Sequence, residues 1–385
     1  MNDDFEISER VKQRILELSA SETDSFYLYD TERIRHNCSR FMEIPYPAKS
    51  IHFAMMSNSN PQFLRIIKES GLNVFVNSKM HLEVAERIGY HEEEIVFAAS
   101  ALDDHTMKRV KQSGAIFIVD SMGQLDQWSS LFPDTGVGIR CNIGELVIPK
   151  KTLAGYFVGN QSRLGITLNS VTRLEGNPRI SGLHIYVGTN ITDIHYFIDC
   201  YSQLSELAGL FPGLRYLDFG GGFGIGENPT QSFDIKSIED KVTQLMDRVS
   251  GKTGREIKLI LEPGRIIGGN SGYFVCRVVD IKDRNNIQLI GVNASSVQFP
   301  RTLFYPDDAY HPVRILRGND WSDGKPGITS SIYGCSTYSR DFLARNISLP
   351  RASKGDIIIL GYAGAYCATA HTDFLGFPKA KELFL

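Results

Sequence analysis

Eight short apolar segments, separated by stretches with helical periodicity, restrict the fold of this chain more than any other feature of its sequence. They lie at residues 51–55, 72–76, 95–98, 116–119, 136–141, 182–187, 214–219 and 257–261. Repeated strand–helix units imply parallel strand pairing. Eight such units in succession fit a closed barrel better than an open sheet. The sequence therefore predicts an α/β protein built on a (β/α)8 TIM barrel.

The pattern changes after residue 270, where apolar and polar residues alternate between turn residues. Residues 273–280 and 286–290 have the pattern of antiparallel strands. Residues 25–30, which precede the first barrel segment, form a further strand pattern that can complete the same domain. We predict an N-terminal segment (1–45) that contributes to the β domain, a barrel (46–268) and a C-terminal antiparallel β domain (269–385).

Composition excludes several classes of function. The chain has 385 residues, with 41 basic and 44 acidic side chains and a net charge of -3, so electrostatic capture of nucleic acid is not favoured. No segment reaches the roughly 20 apolar residues of a membrane span, and the acidic start is unlike a secretory signal. We therefore expect a cytoplasmic protein with no membrane or nucleic-acid partner. The six cysteines are scattered, so we expect mostly buried thiols and neither a zinc module nor a disulfide framework.

Two loops after adjacent predicted strands have the composition of a phosphate site. The seventh strand runs into the glycine-rich residues 220–226, and the eighth ends in Glu-Pro-Gly-Arg at 262–265. Barrel enzymes carry their active sites at the C-terminal ends of the strands, often with phosphate held after strands seven and eight. Glycine lets backbone N–H groups come close to an anion. The two loops together predict that this rim binds phosphate.

Six motifs give the chain a resemblance to a known family. They are Phe-Ala-Met-Met-Ser-Asn-Ser-Asn-Pro at 53–61, Ser-Arg-Leu-Gly-Ile at 162–166, His-Ile-Tyr-Val-Gly-Thr-Asn at 184–190, Gly-Gly-Gly at 220–222, Glu-Pro-Gly-Arg at 262–265 and Ala-Gly-Ala-Tyr at 363–366. Over nearly its whole length the chain resembles the fold type III pyridoxal-phosphate (PLP) decarboxylases. These alanine-racemase-like barrel enzymes act on ornithine, diaminopimelate and related amino acids. Residues 299–301 and 372–378 look most similar to the branch that serves siderophore and natural-product biosynthesis.

The resemblance implies a cofactor site and a quaternary structure. Glu262 would face the pyridine nitrogen of PLP, and the other residues would surround the cofactor and its phosphate. The implied cofactor-binding residues are Arg163, Thr189, Gly220, Gly221, Gly222, Glu262, Gly264, Arg265 and Tyr366. The family also implies a head-to-tail homodimer in which the neighbour's C-terminal domain completes each site.

Met56 stands where the family's first barrel strand carries the lysine that holds PLP as a Schiff base. A thioether can neither form an imine nor transfer a proton, and Lys49 lies toward the other end of the strand. Phe75 corresponds to the family's acidic residue at the end of strand two. This apolar replacement fits the loss of lysine, because an unpaired buried carboxylate is costly. Two explanations stay open: natural divergence, which the coupled change favours, and a deliberate replacement of lysine to trap a ligand.

Other polar residues are candidates for the chemistry of a site without lysine. His81 replaces a glutamate of the family, and Thr337 replaces the cysteine of a Cys-x-x-x-Asp type motif that retains Asp341. With the Met56 position, His81, Tyr186, Thr337 and Asp341 are the predicted catalytic residues, and Arg301 is predicted to bind substrate. Arg163 is a further candidate for electrostatic work. We predict that His52 and His184 are hydrogen-bonded core histidines and that no metal site is present.

These observations favour a biosynthetic member of the decarboxylase family, of siderophore or natural-product type, acting on an amino-acid-derived substrate. It would bind PLP without a covalent bond, or use the phosphate site for another anionic substrate and no PLP, with altered or PLP-independent chemistry. Two alternatives remain. The chain would be a non-catalytic partner or regulatory subunit of an active homologue, or an ordinary PLP-dependent decarboxylase with an engineered lysine-to-methionine change at position 56.

Overall fold

The computed structural model describes residues 5–147, 157–226, 231–306, 309–322 and 327–385. They divide into two units. The barrel unit comprises Arg35–Gly226 and Ser232–Ile266, and the β unit comprises the described residues up to Ile34, Gln231 and Ile267–Leu385. Residues 35–45, which the sequence analysis assigned to the N-terminal segment, therefore lie in the barrel unit.

The helices and strands alternate through the barrel unit, whereas strands predominate in the β unit. The strands are β1 (Phe26–Tyr29), β2 (Lys49–Ala54), β3 (Asn73–Val76), β4 (Ile95–Ala98), β5 (Ile116–Val119), β6 (Val137–Asn142), β7 (Ile166–Thr167), β8 (Ile180–His184), β9 (Tyr216–Asp218), β10 (Lys258–Leu261), β11 (Gly272–Arg284), β12 (Ile287–Val292), β13 (Val313–Arg317), β14 (Asp320–Trp321), β15 (Ile328–Tyr333), β16 (Phe342–Leu349), β17 (Ile357–Leu360) and β18 (Lys381–Phe384). The helices are α1 (Glu9–Ser21), α2 (Thr31–Met42), α3 (Pro61–Glu69), α4 (Lys79–Ile88), α5 (Asp104–Ser113), α6 (Met122–Leu131), α7 (Leu168–Thr172), α8 (Ile194–Glu206), α9 (Lys236–Thr253), α10 (Arg265–Gly268) and α11 (Arg301–Phe304).

The barrel unit contains a closed ring of eight parallel strands, as the sequence predicts. Their order is β5-β4-β3-β2-β10-β9-β8-β6, and pairing of β5 with β6 closes the ring. The short strand β7 adds to β6 outside the ring. Because all eight strands are parallel, their C-terminal ends meet at one rim, which is where the predicted site residues of this unit follow them.

Helix α3 shows how the sequence determines the bounds of a barrel helix. The Asn60 side chain accepts hydrogen bonds from the first turn, and Pro61 follows at a position where a missing N–H costs nothing. Phe63 and Ile67 are among the residues of its buried face. Gly71 then takes a φ of +82°, the left-handed conformation that ends a helix readily at glycine.

Inside the barrel, a buried apolar cluster lies around Tyr216. The cluster consists of Val96, Ala98, Ile118, Tyr216 and Ile260, with Phe75 packed against it. A Cβ atom at Gly138 or Gly182 would overlap the Tyr216 side chain, so these two glycines provide the space for its ring. The interior is thus filled by side chains, as in other closed barrels of this size.

The β unit is a mostly antiparallel sheet, which confirms the predicted second domain type. Its strand order is β14-β13-β17-β11-β12-β15-β16, and β1 pairs with β11 and β18. The pairs β12–β15 and β1–β18 are parallel. Residues Val11, Ile15 and Leu18 of α1 share a buried cluster with Val275 and Ile359, so an amphipathic helix covers one face of the sheet.

The cysteines and the apolar character of the helices were both considered in the sequence. All six cysteines are free thiols, and five of them are buried, with Cys335 exposed. The prediction of mostly buried thiols is therefore confirmed. None of the helices in the described ranges combines the length and the apolar character that crossing a membrane requires.

His52 on β2 is a hydrogen-bonded core histidine, as predicted. Its ring is fully buried, with Nδ1 3.2 Å from the carbonyl oxygen of Val74 and Nε2 2.9 Å from the Ser50 hydroxyl. A carbonyl oxygen can only accept, so Nδ1 carries the hydrogen and Nε2 accepts from Ser50. Burial lowers the pKa of His52 to about 4.

This pKa predicts how acid affects stability. Since the pKa is about 4 when folded and 6.5 ordinarily, the neutral ring stabilises the fold fully above pH 6.5, and this contribution is lost as pH falls toward 4. We expect His52→Gln to reduce the acid-induced loss of unfolding free energy by about 3 kcal/mol over that range. Urea titrations at several pH values measure the difference. Parallel pH profiles for the two proteins would contradict the expectation.

Candidate cofactor and active site

Three ionisable side chains meet at the C-terminal ends of adjacent barrel strands. His184 ends β8, Asp218 ends β9 directly beside it in the parallel register, and Glu262 follows β10. They are 1%, 0% and 4% exposed, and one donor atom of each lies within 4.8 Å of the others. Two buried acids beside a buried imidazole suit one positively charged group, such as the protonated ring nitrogen of an organic cofactor.

Burial determines the charges in this group. It lowers the pKa of His184 to about 4, so the imidazole is neutral at pH 7, although its Nε2 lies 3.6 Å from Glu262 Oε1. Burial also raises the pKa of Glu262 to about 7. Neither His184 ring nitrogen has a hydrogen-bond partner within the described parts of the chain. The prediction for His184 was therefore right about burial and wrong about hydrogen bonding, because the 3.6 Å between Nε2 and Glu262 Oε1 is beyond hydrogen-bonding distance.

Arg140 and Asp120, which no sequence motif indicated, lie at the same rim. Arg140, on β6, has a side chain that is 13% exposed, and its Nε lies 3.8 Å from Asp120 Oδ1. Its guanidinium also lies 5.7 Å from the centre of the Tyr186 ring. Burial lowers the pKa of Arg140 and the charges of Asp120 and Glu262 raise it. A positive charge is thus held beside two carboxylates.

Arg163 joins this network through other residues. The Arg163 Nη1 donates to the Ser100 hydroxyl at 3.1 Å, and that hydroxyl in turn donates to Asp120. The Gly165 N–H donates to the second oxygen of Asp120 at 3.1 Å. The segment that carries Arg163 is therefore tied to the end of β5 through one buried carboxylate, which is a positioning arrangement for this loop.

The glycine run after β9 packs closely against neighbouring backbone. Gly220 and Gly222 have φ values of +63° and +101°, which favour glycine. A Cβ atom at Gly221 would overlap the carbonyl oxygen of Glu262, and one at Gly222 would overlap that of Gly188. The Glu262 N–H donates to the Gly220 carbonyl at 2.8 Å. The two loops that the sequence predicted as one phosphate site are therefore adjacent.

Met56 lies in the turn after β2, next to the loop after β10. The Ala54 N–H donates to the Pro263 carbonyl at 3.0 Å, and a Cβ atom at Gly264 would lie 3.1 Å from Ala54 Cβ. The Met55 N–H donates to the Phe75 carbonyl at 3.0 Å. Met56 is partly buried. Its turn is therefore bounded by Phe75 on one side and by the predicted cofactor loop on the other.

The remaining predicted residues of the barrel unit also follow its strands. His81 is half-buried in the first turn of α4, where its Nδ1 lies 3.1 Å from Asn77 Oδ1 and burial lowers its pKa. Tyr186 and Thr189 follow β8 and are partly buried. The Tyr186 ring meets Phe157 edge-on at 5.0 Å between centroids. Arg265 is the first residue of α10.

In the β unit, Asp341 organises the loops around it. Its buried carboxylate accepts hydrogen bonds from the Ser295 hydroxyl at 3.1 Å, the Ser296 N–H at 2.6 Å and the Ser336 N–H at 3.0 Å. Thr337, in the same loop, is exposed. These contacts all lie within the β unit, so they describe a structural role for Asp341, and its catalytic role stays a prediction.

Arg301 and Tyr366, the other predicted residues of the β unit, are held by local contacts. The Arg301 side chain is buried, and its NH1 donates to the Tyr310 carbonyl at 3.3 Å and lies 3.0 Å from His311 Nε2. Because His311 Nδ1 lies 2.9 Å from the Gly361 carbonyl, that nitrogen carries the hydrogen and Nε2 accepts. Tyr366 is partly buried and has a φ of +59°.

Known proteins with similar sequences are decarboxylases. The diaminopimelate decarboxylase of Methanothermobacter thermautotrophicus is 26% identical, with 96% of this chain and 88% of that relative covered. The Escherichia coli enzyme of the same name is 24% identical, with 96% of this chain and 91% of that relative covered.

Solved structures with the same fold include two decarboxylases. Diaminopimelate decarboxylase from Helicobacter pylori, complexed with L-lysine, aligns with a TM-score of 0.83 at 21% identity, covering 96% of this chain and 93% of that one. The arginine decarboxylase of Paramecium bursaria Chlorella virus, bound to agmatine, aligns with a TM-score of 0.81 at 19% identity and covers 100% of both chains.

A model of a known protein family matches the sequence of the barrel unit. The model described as pyridoxal-dependent decarboxylase, pyridoxal binding domain, matches residues 31–269, which is more than half of the 385 residues. The match includes β2 to β10 and thus the strand ends that carry His184, Asp218, Glu262 and the glycine run. The chain belongs to the pyridoxal-dependent decarboxylase family.

Proposed function

We propose that the protein binds PLP at the rim of the barrel unit without a covalent bond and acts on an amino-acid-derived substrate in a biosynthetic pathway. The observation that carries the proposal is the glycine run packed against Glu262, next to the turn that carries Met56. The family and the ligands in the names of two similar solved structures, the amino acid L-lysine and the amine agmatine, support the substrate class. The resemblance of residues 299–301 and 372–378 supports the siderophore or natural-product type.

The phosphate end of PLP fits the glycine run. Since a side chain at Gly221 or Gly222 would collide with backbone, the run is kept free of side chains and close to Glu262 and Gly188. Such backbone is suited to bind a phosphate through N–H groups. In the proposal, Thr189, Gly220, Gly264 and Arg265 complete the phosphate site in this unit, and Tyr366 is a further phosphate-binding residue. A homodimer with shared sites is part of the proposal.

The ring end of PLP fits Glu262. Its Oε1 is buried and has no hydrogen-bond partner among the residues that the structure describes. An acceptor left in that state is costly, and a protonated ring nitrogen would satisfy it with a charge-assisted hydrogen bond. When bound, PLP supplies an electron sink for negative charge that develops on the substrate.

The residues near Met56 determine what chemistry remains. Met56 and Phe75 can bind apolar parts of a ligand and exclude water, but they cannot move a proton. His81, whose pKa is lowered by burial, is a base at neutral pH, and we assign proton transfer to it and to Tyr186. Arg163, Arg301, Thr337 and Asp341 remain the candidates for substrate binding and electrostatic support. Ordinary decarboxylation would be slow, and altered chemistry is expected.

Titration of the purified protein with PLP tests this proposal. We expect the PLP absorption spectrum to change on binding, to change again when an amine substrate is added, and to return when the complex is dialysed. Stoichiometric fixation of PLP to one side chain of the wild-type protein by borohydride would contradict non-covalent binding. Failure to bind PLP or any other phosphate compound would contradict the proposal and favour the alternative of a non-catalytic partner subunit.

A further inference from the structure

Asp218 is a fully buried acid to which the proposed function gives no role. Its Oδ1 accepts a hydrogen bond from the Gly220 N–H at 2.9 Å. A carboxylate oxygen of Asp218 lies within 4.8 Å of a carboxylate oxygen of Glu262. In the described part of the chain, Asp218 Oδ2 and Glu262 Oε1 are both buried and have no hydrogen-bond partner. Two ionised carboxylates offer only acceptors to one another, so they can form a hydrogen bond only when one of them holds a proton.

The surroundings decide which acid holds that proton. Burial raises the pKa of Asp218 well above its ordinary range, and the charge of Glu262 raises it further. The pKa of Glu262 is also raised by burial, but Arg140 lowers it. The positive charge of Arg140 thus favours the ionised form of Glu262, whereas the negative charge of Glu262 disfavours the ionised form of Asp218. When the pair holds a single proton, it is therefore most stable with Asp218 protonated and Glu262 ionised.

The other titratable groups around Asp218 carry no charge at neutral pH. His184, on β8, is neutral because burial lowers its pKa to about 4. Tyr201 of α8 and Tyr216 of β9 interact electrostatically with Asp218, and burial raises the pKa of both hydroxyls above 10. The negative charge of Glu262 is therefore the main electrostatic influence on Asp218.

We propose that Asp218 is a positioning residue, which stays protonated at neutral pH and donates its O–H to Glu262. This bond keeps Glu262 ionised and holds its other lone pairs toward the ring nitrogen of PLP. The acid pair then carries one negative charge, which matches one protonated nitrogen. The inference rests on the proposed PLP site for its purpose, but the shared proton is a property of the protein alone.

Infrared spectroscopy tests the shared proton without any cofactor. A protonated carboxyl group has a carbonyl stretch distinct from that of a carboxylate. We expect this band in the wild-type protein at pH 7 and its loss in Asp218→Asn. Absence of the band in the wild type, or its persistence in Asp218→Asn with loss in Glu262→Gln, would overturn the proposal.

Two variants test the positioning role when PLP is added. In Asp218→Asn the amide can accept from Gly220 and donate to Glu262, so PLP affinity should stay within about threefold of the wild type. Asp218→Ala removes the donor and should weaken binding roughly 10- to 100-fold, the usual range for one hydrogen bond to a charged group. It should also move the loss of binding on acidification to higher pH, because Glu262 then protonates more readily.

The outcomes separate this proposal from the proposed function. Equal losses of affinity in Asp218→Asn and Asp218→Ala, with both proteins folded by circular dichroism, would overturn the positioning role. Unchanged affinity in Asp218→Ala would overturn it as well. A wild-type protein that binds no PLP would end the proposed function, and the infrared band would still decide where the proton lies.

Discussion

Met56→Lys is expected to convert reversible PLP binding into covalent attachment. The turn that carries Met56 lies beside the loop of Gly264 and beside Phe75, at the rim where the glycine run is proposed to hold PLP. A lysine amine introduced there can condense with the aldehyde of PLP, which methionine cannot do. Attachment should be partial, because Phe75 gives the ammonium form of the new side chain no charge partner.

Borohydride reduction followed by peptide mass analysis measures this gain. We expect PLP to be attached to the peptide containing position 56 in Met56→Lys, and no attachment in the wild type or in the matched control Met56→Leu. Adding Phe75→Asp should increase the labelled fraction, with some loss of stability because Phe75 packs against the barrel interior. A folded Met56→Lys protein that captures no PLP would contradict a retained cofactor pocket.

Gly221→Ala is expected to abolish PLP binding and to destabilise the barrel unit. The added methyl group would overlap the carbonyl oxygen of Glu262, and neither partner is the flexible end of a side chain. The end of β10 must therefore move away from the glycine run. We expect a loss of about 3 kcal/mol in unfolding free energy and a loss of PLP affinity of about 100-fold or more, since several charge-assisted hydrogen bonds are displaced.

Gly251→Ala is the matched control for this variant. Gly251 lies within α9, and an added Cβ atom there has no neighbour within 4 Å. Alanine is the better helix former, so stability should rise by up to about 1 kcal/mol while PLP binding is unchanged. Equal effects of the two substitutions on PLP binding would show that the glycine run does not form the phosphate site.

The barrel was predictable because the eight apolar segments have the length and spacing of parallel strands. The bounds were less exact where the strand ends form the site. The segment predicted as 182–187 corresponds to β8, Ile180–His184, which begins two residues earlier. Its last three residues lie in the loop after β8. The apolar pattern continues beyond the strand, because Ile185 and Val187 are buried although they lie after its end. Periodicity alone cannot distinguish a buried strand residue from a buried loop residue that follows it.

The adjacency of the two loops proposed to bind the cofactor was predictable because glycine runs and charged residues directly follow strands. The sequence motifs did not indicate Arg140 and Asp218, which each lie within an apolar strand segment. Whether such a side chain points into the barrel depends on the register of the closed ring, which a single strand does not reveal. A polar residue near the end of an apolar barrel strand was the available signal. The shared environment of Asp218 and Glu262 follows only from the pairing of β9 with β10.

The decisive experiment is a crystal structure of the wild-type protein grown with saturating PLP. We expect phosphate density against Gly220, Gly221 and Gly222, a ring nitrogen within hydrogen-bonding distance of Glu262, and a gap between the cofactor and Met56. An empty glycine run under those conditions, or PLP joined covalently to another side chain of the protein, would contradict non-covalent binding at this rim.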